Sequence, residues 1–93
     1  MTFTVRWPDG QVSDLYSPSL VMHDHLTIGA RYTVAEFTAA STHALAIASE
    51  RVRAKFGFAC TSAMATTESI HARAARFAPG ESVTVLAMEP PLT

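Results

Sequence analysis

The chain passes from one predicted helix to a second within residues 50–63, which read ERVRAKFGFACTSA. The first half of this stretch holds three basic side chains: Arg51, Arg53 and Lys55. Cations are frequent in the last turns of a helix because they complement its negative end. Gly57 follows those turns, at the position where the left-handed conformation that ends many helices favours glycine. We therefore expect a helical hairpin whose corner lies at Gly57.

The first helix of this hairpin is predicted to run from Val34 to Phe56. The run Thr33-Val34-Ala35-Glu36 has the pattern of a capping box, in which a threonine hydroxyl and a glutamate carboxylate each accept a backbone N–H. Tyr32 and Phe37 occupy the positions of a hydrophobic staple. Residues expected to face the core recur at helical spacing: Phe37, Ser41, Ala44, Leu45, Ala48, Val52 and Phe56.

The second helix is predicted from Ser62 to Phe77 and ends before Pro79-Gly80. Its inward positions are expected to be Ala63, Thr67, Ile70, Ala74 and Phe77. Alanine is frequent in both helices. Because alanine side chains are small, the two helices are expected to pack closely.

Strand signals lie on both sides of the helices. Phe3, Val5 and Trp7 alternate with polar residues, as in a half-buried strand. Pro8-Asp9-Gly10 supplies a turn, so residues 11–16 are expected to return as the second arm of a hairpin.

Two further segments are assigned to the sheet. Leu20-Val21-Met22 is predicted to add a third strand or an edge segment, and residues 82–88, which read SVTVLAM, form the final strand. The predicted fold class is α+β. We expect a two-layer sandwich in which a small, mostly antiparallel sheet is covered by the two-helix hairpin.

Composition limits the classes of function. The 93 residues are 48% hydrophobic and 16% charged, which predicts one domain over residues 1–93 with apolar surface left for a second copy or another partner. A homo-oligomer is therefore expected. The net charge of −1 argues against binding to nucleic acid. No apolar run approaches the roughly 20 residues of a membrane span, so no membrane partner is expected.

Cysteine usage and the start of the chain indicate a compartment. One cysteine cannot form an intramolecular disulfide, and residues 1–7 lack the basic-then-apolar layout of a signal peptide. We therefore expect a cytoplasmic protein. No glycine-rich phosphate loop, nucleophile elbow or paired-cysteine motif is found, so no cofactor is expected.

Several blocks of the chain resemble one protein family. These blocks are Tyr16-Ser17-Pro18-Ser19, Gly29 with Tyr32 and Phe37, and residues 48–53 running into residues 57–63. Together they are similar to the small bacterial nitrogen-starvation-response proteins encoded in nitrilase-associated gene clusters. The resemblance implies a cluster with a nitrilase, a radical S-adenosylmethionine protein, an acetyltransferase and a flavoprotein. It implies no catalytic residues, because none is established for that family.

Cys60 is the first candidate for chemistry. A thiol near a helix N-terminus and close to basic side chains would have its thiolate favoured. His71 is the nearest histidine downstream that could act as its base, but only a tertiary contact would bring the two together. The alternative is that Cys60 is a small buried apolar group.

His23 and His25 are the candidate metal ligands. Residues two apart on a strand project to one face, where two imidazoles could begin a metal site. A third ligand would have to come from elsewhere, and the residues considered are Asp14, His43, Cys60 and His71. The alternative is a solvated polar loop with no metal.

The basic cluster Arg51, Arg53 and Lys55 has two interpretations. It complements the helix dipole, or it forms a site for an anion or an acidic partner. Two classes of function follow for the whole chain. The leading hypothesis is a non-catalytic accessory protein that docks on an enzyme of the nitrilase-associated pathway. The alternative is a small enzyme or a ligand- or metal-binding protein centred on Cys60 and the histidines.

Overall fold

A computed structural model describes residues 1–57 and 61–89 of the chain. The strands are β1 (Thr2–Arg6), β2 (Val12–Tyr16), β3 (Arg31–Thr33) and β4 (Ser82–Glu89). The helices are α1 (Met22–His25), α2 (Val34–Phe56) and α3 (Thr61–Ala74). The strands form one antiparallel sheet, and α2 and α3 pack against it around a shared core. The predicted α+β class is confirmed.

Strand β1 lies inside the sheet, whose order is β2-β1-β4-β3. The predicted hairpin joins β1 to β2. Its turn closes through the Gly10 N–H, which donates to the Trp7 carbonyl at 2.9 Å, and Gly10 has a φ of 86° that glycine adopts without strain. Alternation along β1 places Phe3 and Val5 in the core, so one strand contributes apolar side chains at the centre of the sheet.

A β-bulge interrupts the pairing of β1 with β4. Thr4 lies opposite Ala87 and Val5 lies opposite Val85, which leaves Leu86 without an opposing residue. The extra residue shifts the alternation of β4 by one position. Val85 and Met88 are therefore both buried, although they lie three positions apart.

The third strand is not where the sequence predicted it. Leu20-Val21-Met22 leads into the short helix α1, and the additional strand is β3, only three residues long. Serine side chains bend the chain before α1: the Ser17 hydroxyl donates to the Ser19 carbonyl at 2.9 Å, and the Ser19 hydroxyl accepts the Val21 N–H at 3.3 Å. Such local hydrogen bonds compete with strand pairing. The apolar run consequently enters the core from a helical turn.

Both ends of α2 form as the sequence predicted. The Thr33 hydroxyl accepts the Glu36 N–H at 3.0 Å, and the Glu36 carboxylate accepts the Thr33 N–H at 3.3 Å, which completes the capping box. At the other end, Gly57 has a φ of 81° and its N–H donates to the Arg53 carbonyl at 2.7 Å. Two local signals therefore set the bounds of α2.

The last turns of α2 depart from the predicted core stripe. Buried side chains on this helix end at Ala48, and Phe56 is 58% exposed. A helix of 23 residues is about 35 Å long, whereas the eight-residue strand β4 spans about 26 Å. Because α2 is longer than the sheet, its final turns have no strand beneath them.

Helix α3 ends at Ala74, three residues earlier than predicted. Phe77 nevertheless packs against the core from the turn that follows, where its ring stacks on Trp7 with the ring centres 6.0 Å apart. Trp7 also meets Phe37 of α2 edge-on at 5.5 Å, and its indole N–H donates to the Ser13 hydroxyl at 3.0 Å. One tryptophan therefore joins the hairpin, α2 and the segment after α3.

The capping box makes a prediction about stability. Thr33→Ala should lower the free energy of unfolding by about 0.5–2 kcal/mol, because a helix amide loses its acceptor. The matched control is Thr27→Ala, at an exposed threonine outside the helices, where we expect a change within about 0.5 kcal/mol. Urea unfolding followed by the fluorescence of Trp7 measures both. Equal effects of the two substitutions would contradict the capping role.

Alanine substitutions at two glycines, Gly57 and Gly80, should change the free energy of unfolding in opposite directions. A Cβ at either Gly57 or Gly80 would meet no atom within 4 Å, but only Gly57 has a positive φ. Gly57→Ala should therefore destabilise the fold by roughly 1 kcal/mol or more, whereas Gly80→Ala should stabilise it by about 0.4–1 kcal/mol. Thermal unfolding of both variants checks the signs. A stabilising Gly57→Ala would show that α2 does not end in the left-handed conformation.

Candidate functional site

Helices α2 and α3 approach each other through small side chains. Ala44 and Ala48 of α2 and Ala63 of α3 are buried in the core. Residues of both helices line a shallow channel on the surface of the pair. We call this channel the interhelical groove. It consists of two adjoining cavities of about 320 and 470 Å³ that share Thr42.

The wall of the interhelical groove is almost uncharged. Its first cavity is lined by Thr42, Leu45, Ala46, Ser49, Ala63, Met64, Thr67 and Glu68. Its second cavity is lined by Val34, Ala35, Thr38, Ala39, Thr42, His71, Ala74, Ala75, Phe77 and Pro79. Glu68 is the one charged residue among these described residues. Met64 is 53% exposed, which is a large exposure for an apolar side chain.

Two threonine hydroxyls of the groove are engaged in hydrogen bonds to the helix backbone. The Thr42 hydroxyl donates to the Thr38 carbonyl at 2.6 Å, and the Thr67 hydroxyl donates to the Ala63 carbonyl at 3.0 Å. Both hydroxyl protons are therefore used within their own helices. The Thr38 hydroxyl oxygen is buried and has no hydrogen-bond partner among residues 1–57 and 61–89. The groove consequently presents a mainly apolar surface with few groups that seek a polar partner.

The outer face of the sheet differs from the groove. Arg6, Asp14 and Glu89 are exposed there, and the Thr4 hydroxyl donates to the Asp14 carboxylate at 2.7 Å. Charged and hydrogen-bonded side chains are typical of a solvated surface. The outer face of the sheet thus combines charged residues with the exposed side chains of Val12 and Tyr16, whereas the helical face carries the apolar groove.

The three predicted basic residues have separate contacts. Arg51 Nη1 donates to the Ser19 hydroxyl at 3.3 Å, and Arg53 lies 3.7 Å from the Glu50 carboxylate. The Lys55 ammonium lies 5.5 Å from the centre of the Phe56 ring. All three side chains are exposed. A joint site for an anion or an acidic partner at these residues stays a prediction.

Of the predicted dyad of Cys60 and His71, only His71 belongs to the described residues. Cys60 lies outside the described residues. His71 is an exposed residue of α3 and lines the second cavity of the interhelical groove beside Thr38 and Thr42. No sequence pattern predicted that His71 lies near Thr42, because the two residues belong to different helices and meet only when the helical hairpin folds.

The geometry expected for His23 and His25 is wrong. Both residues belong to α1 rather than to a strand, and residues two apart on a helix do not share a face. His25 instead meets His43 of α2: their ring centres are 5.3 Å apart and the rings are inclined at 75°. Within the two described ranges, no group of three or more histidine, cysteine, aspartate or glutamate side chains has a geometry that could hold a metal ion.

Of the helices in residues 1–57 and 61–89, none combines the length and the apolarity needed to cross a membrane.

Comparison with known proteins gives the family of the chain. The family model described as nitrogen starvation-induced protein NitG matches residues 2–88. No curated protein and no solved structure matches the chain. The matched range begins with β1 and ends one residue before the end of β4, so it takes in the interhelical groove as well as the sheet. The chain therefore belongs to the family of nitrogen starvation-induced NitG proteins.

Proposed function

We propose that this protein is a non-catalytic partner-binding protein of the nitrogen-starvation response, and that it docks on an enzyme of a nitrilase-associated gene cluster. The observation that carries the proposal is the interhelical groove. Its wall is apolar and Met64 is exposed on it, so removing this surface from water would stabilise a complex. A chain with a single cysteine fits the reducing cytoplasm, where such a complex would form.

The shape of the groove favours a helix of the partner enzyme as its occupant. A channel between two packed helices accepts the side-chain ridge of a third helix, and small residues such as Ala39 and Ala46 permit a close approach. Helix α3 has 14 residues and is about 21 Å long, so a partner helix of about four turns would fill the groove.

The charge of Glu68 would favour one orientation of the partner helix. Glu68 is exposed at one edge of the first cavity. A lysine or arginine on the partner helix would pair with this carboxylate at the edge of the contact. Such a pair contributes more to register and specificity than to affinity. The proposed partner segment is therefore an amphipathic helix with one apolar face and a basic residue beside it.

Co-expression tests this proposal directly. Each of the four cluster enzymes, namely the nitrilase, the radical S-adenosylmethionine protein, the acetyltransferase and the flavoprotein, is produced with a tagged copy of this chain. We expect one of them to be retained through affinity and size-exclusion chromatography. Ala46→Glu should weaken that complex by about tenfold or more, because it places a charge on the apolar wall of the contact.

The matched control is Ala65→Glu, the same substitution at an exposed position of α3 that does not line the groove. It should bind as the unmodified chain does, and far-ultraviolet circular dichroism should show both variants folded. Retention of none of the four enzymes would contradict the proposal. So would a homodimer, detected by light scattering, that Ala46→Glu dissociates, because a second copy would then occupy the groove.

A further inference from the structure

The contact between His25 and His43 joins two elements whose backbones are fixed by the core. His25 ends α1 and directly precedes Leu26, whereas His43 directly precedes Ala44 on α2. Leu26 and Ala44 are both buried in the core cluster. Fixed backbones carry two accessible rings, since His25 is half-buried and His43 is exposed. The two backbones are therefore in position before any ligand arrives.

The separation of the rings matches the spacing of two imidazoles on one metal ion. A tetrahedral ion holds imidazole nitrogens at about 2.0–2.1 Å, which places the two ring centres about 5.2 Å apart. The ring centres of His25 and His43 are 5.3 Å apart. Both rings would turn about their side-chain bonds to aim a nitrogen of each at a shared point. The backbones of α1 and α2 need not move.

We propose that His25 and His43 form a two-histidine binding site for a late first-row divalent metal ion such as Zn²⁺ or Cu²⁺. Imidazole is a preferred ligand of these ions, whereas Mg²⁺ and Ca²⁺ favour oxygen. Because no third protein ligand completes the set in the described part of the chain, water occupies the remaining coordination positions. The site is open and exchangeable, unlike a closed structural zinc site.

The flank of α2 around His43 carries charges of both signs. The cavity on this flank of α2, of about 480 Å³, is lined by His43, Ala46, Ile47, Glu50, Arg51 and Ala54. Arg51 on this flank donates to the Ser19 hydroxyl at 3.3 Å, and the Glu50 carboxylate lies 3.7 Å from Arg53. A bound ion would connect α1 to α2 and so stabilise the native chain over the unfolded one.

Zn²⁺ titration of the purified chain tests the site. Calorimetry should show about one ion per chain, and a tenfold excess of free Zn²⁺ over its dissociation constant should raise Tm by roughly 5–10 °C. His25→Ala and His43→Ala should each weaken binding by about 100-fold or more, since even outer-shell partners of a metal contribute about 10–100-fold. His71→Ala, at an exposed histidine of α3, is the matched control and should bind as the unmodified chain does.

A second readout is independent of stability. Cu²⁺ bound at this site should give an electron paramagnetic resonance spectrum with splitting from two nitrogens, and His43→Gln should reduce that splitting to one. Fluorescence of Trp7 in the absence of metal shows whether each variant is folded. Unchanged Zn²⁺ affinity in both His25→Ala and His43→Gln, or no binding by the folded chain, would overturn the proposal. Neither result would bear on docking in the interhelical groove.

Discussion

The packing of Trp7 is the constraint on which the other contacts depend. Its indole ring packs edge-on against Phe37 of α2 and stacks on Phe77 after α3. Aromatic pairs of this kind contribute about 0.5–1.5 kcal/mol beyond the area they bury. The bond from its N–H to Ser13 satisfies the polar end of the ring. Because α3 reaches the core partly through Phe77, the position of α3 beside α2, and with it the groove between them, follows from where this tryptophan sits.

Local signals in the sequence predicted the parts of the fold that local chemistry decides. The capping box at Thr33 and the left-handed Gly57 set the two ends of α2. Each gives hydrogen-bond partners to backbone groups that the helix leaves unpaired at its ends. The hairpin followed from alternation and a Pro-Asp-Gly turn. The misassigned run at Leu20-Val21-Met22 had the composition of a strand, but composition does not reveal the serine side-chain bonds that bend the chain there. β3 has three residues, too few to show a period of two.

The candidate site was less accessible to sequence reasoning than the fold. Thr42, Met64 and Glu68 line one cavity although they belong to two helices, and only the closed hairpin brings them together. Alanine content predicted close packing, but not that a channel would remain outside the contact. The pairing of His25 with His43 likewise depends on how α1 docks on α2, which no spacing encodes. Sequence pattern located the elements, and tertiary contact decided which side chains became neighbours.

The edge of the sheet formed by β2 has a consequence for the self-association of this protein. Among the strands of the described residues, β2 lies at one end of the order and β3 at the other, so one side of the β2 backbone pairs with none of them. If two copies joined there antiparallel with Val12 opposite Tyr16, Asp14 of one copy would face Asp14 of the other. Two carboxylates in direct opposition repel, which disfavours that pairing. A single acidic residue at the midpoint of β2 thus disfavours a two-fold dimer that would extend the sheet across this edge.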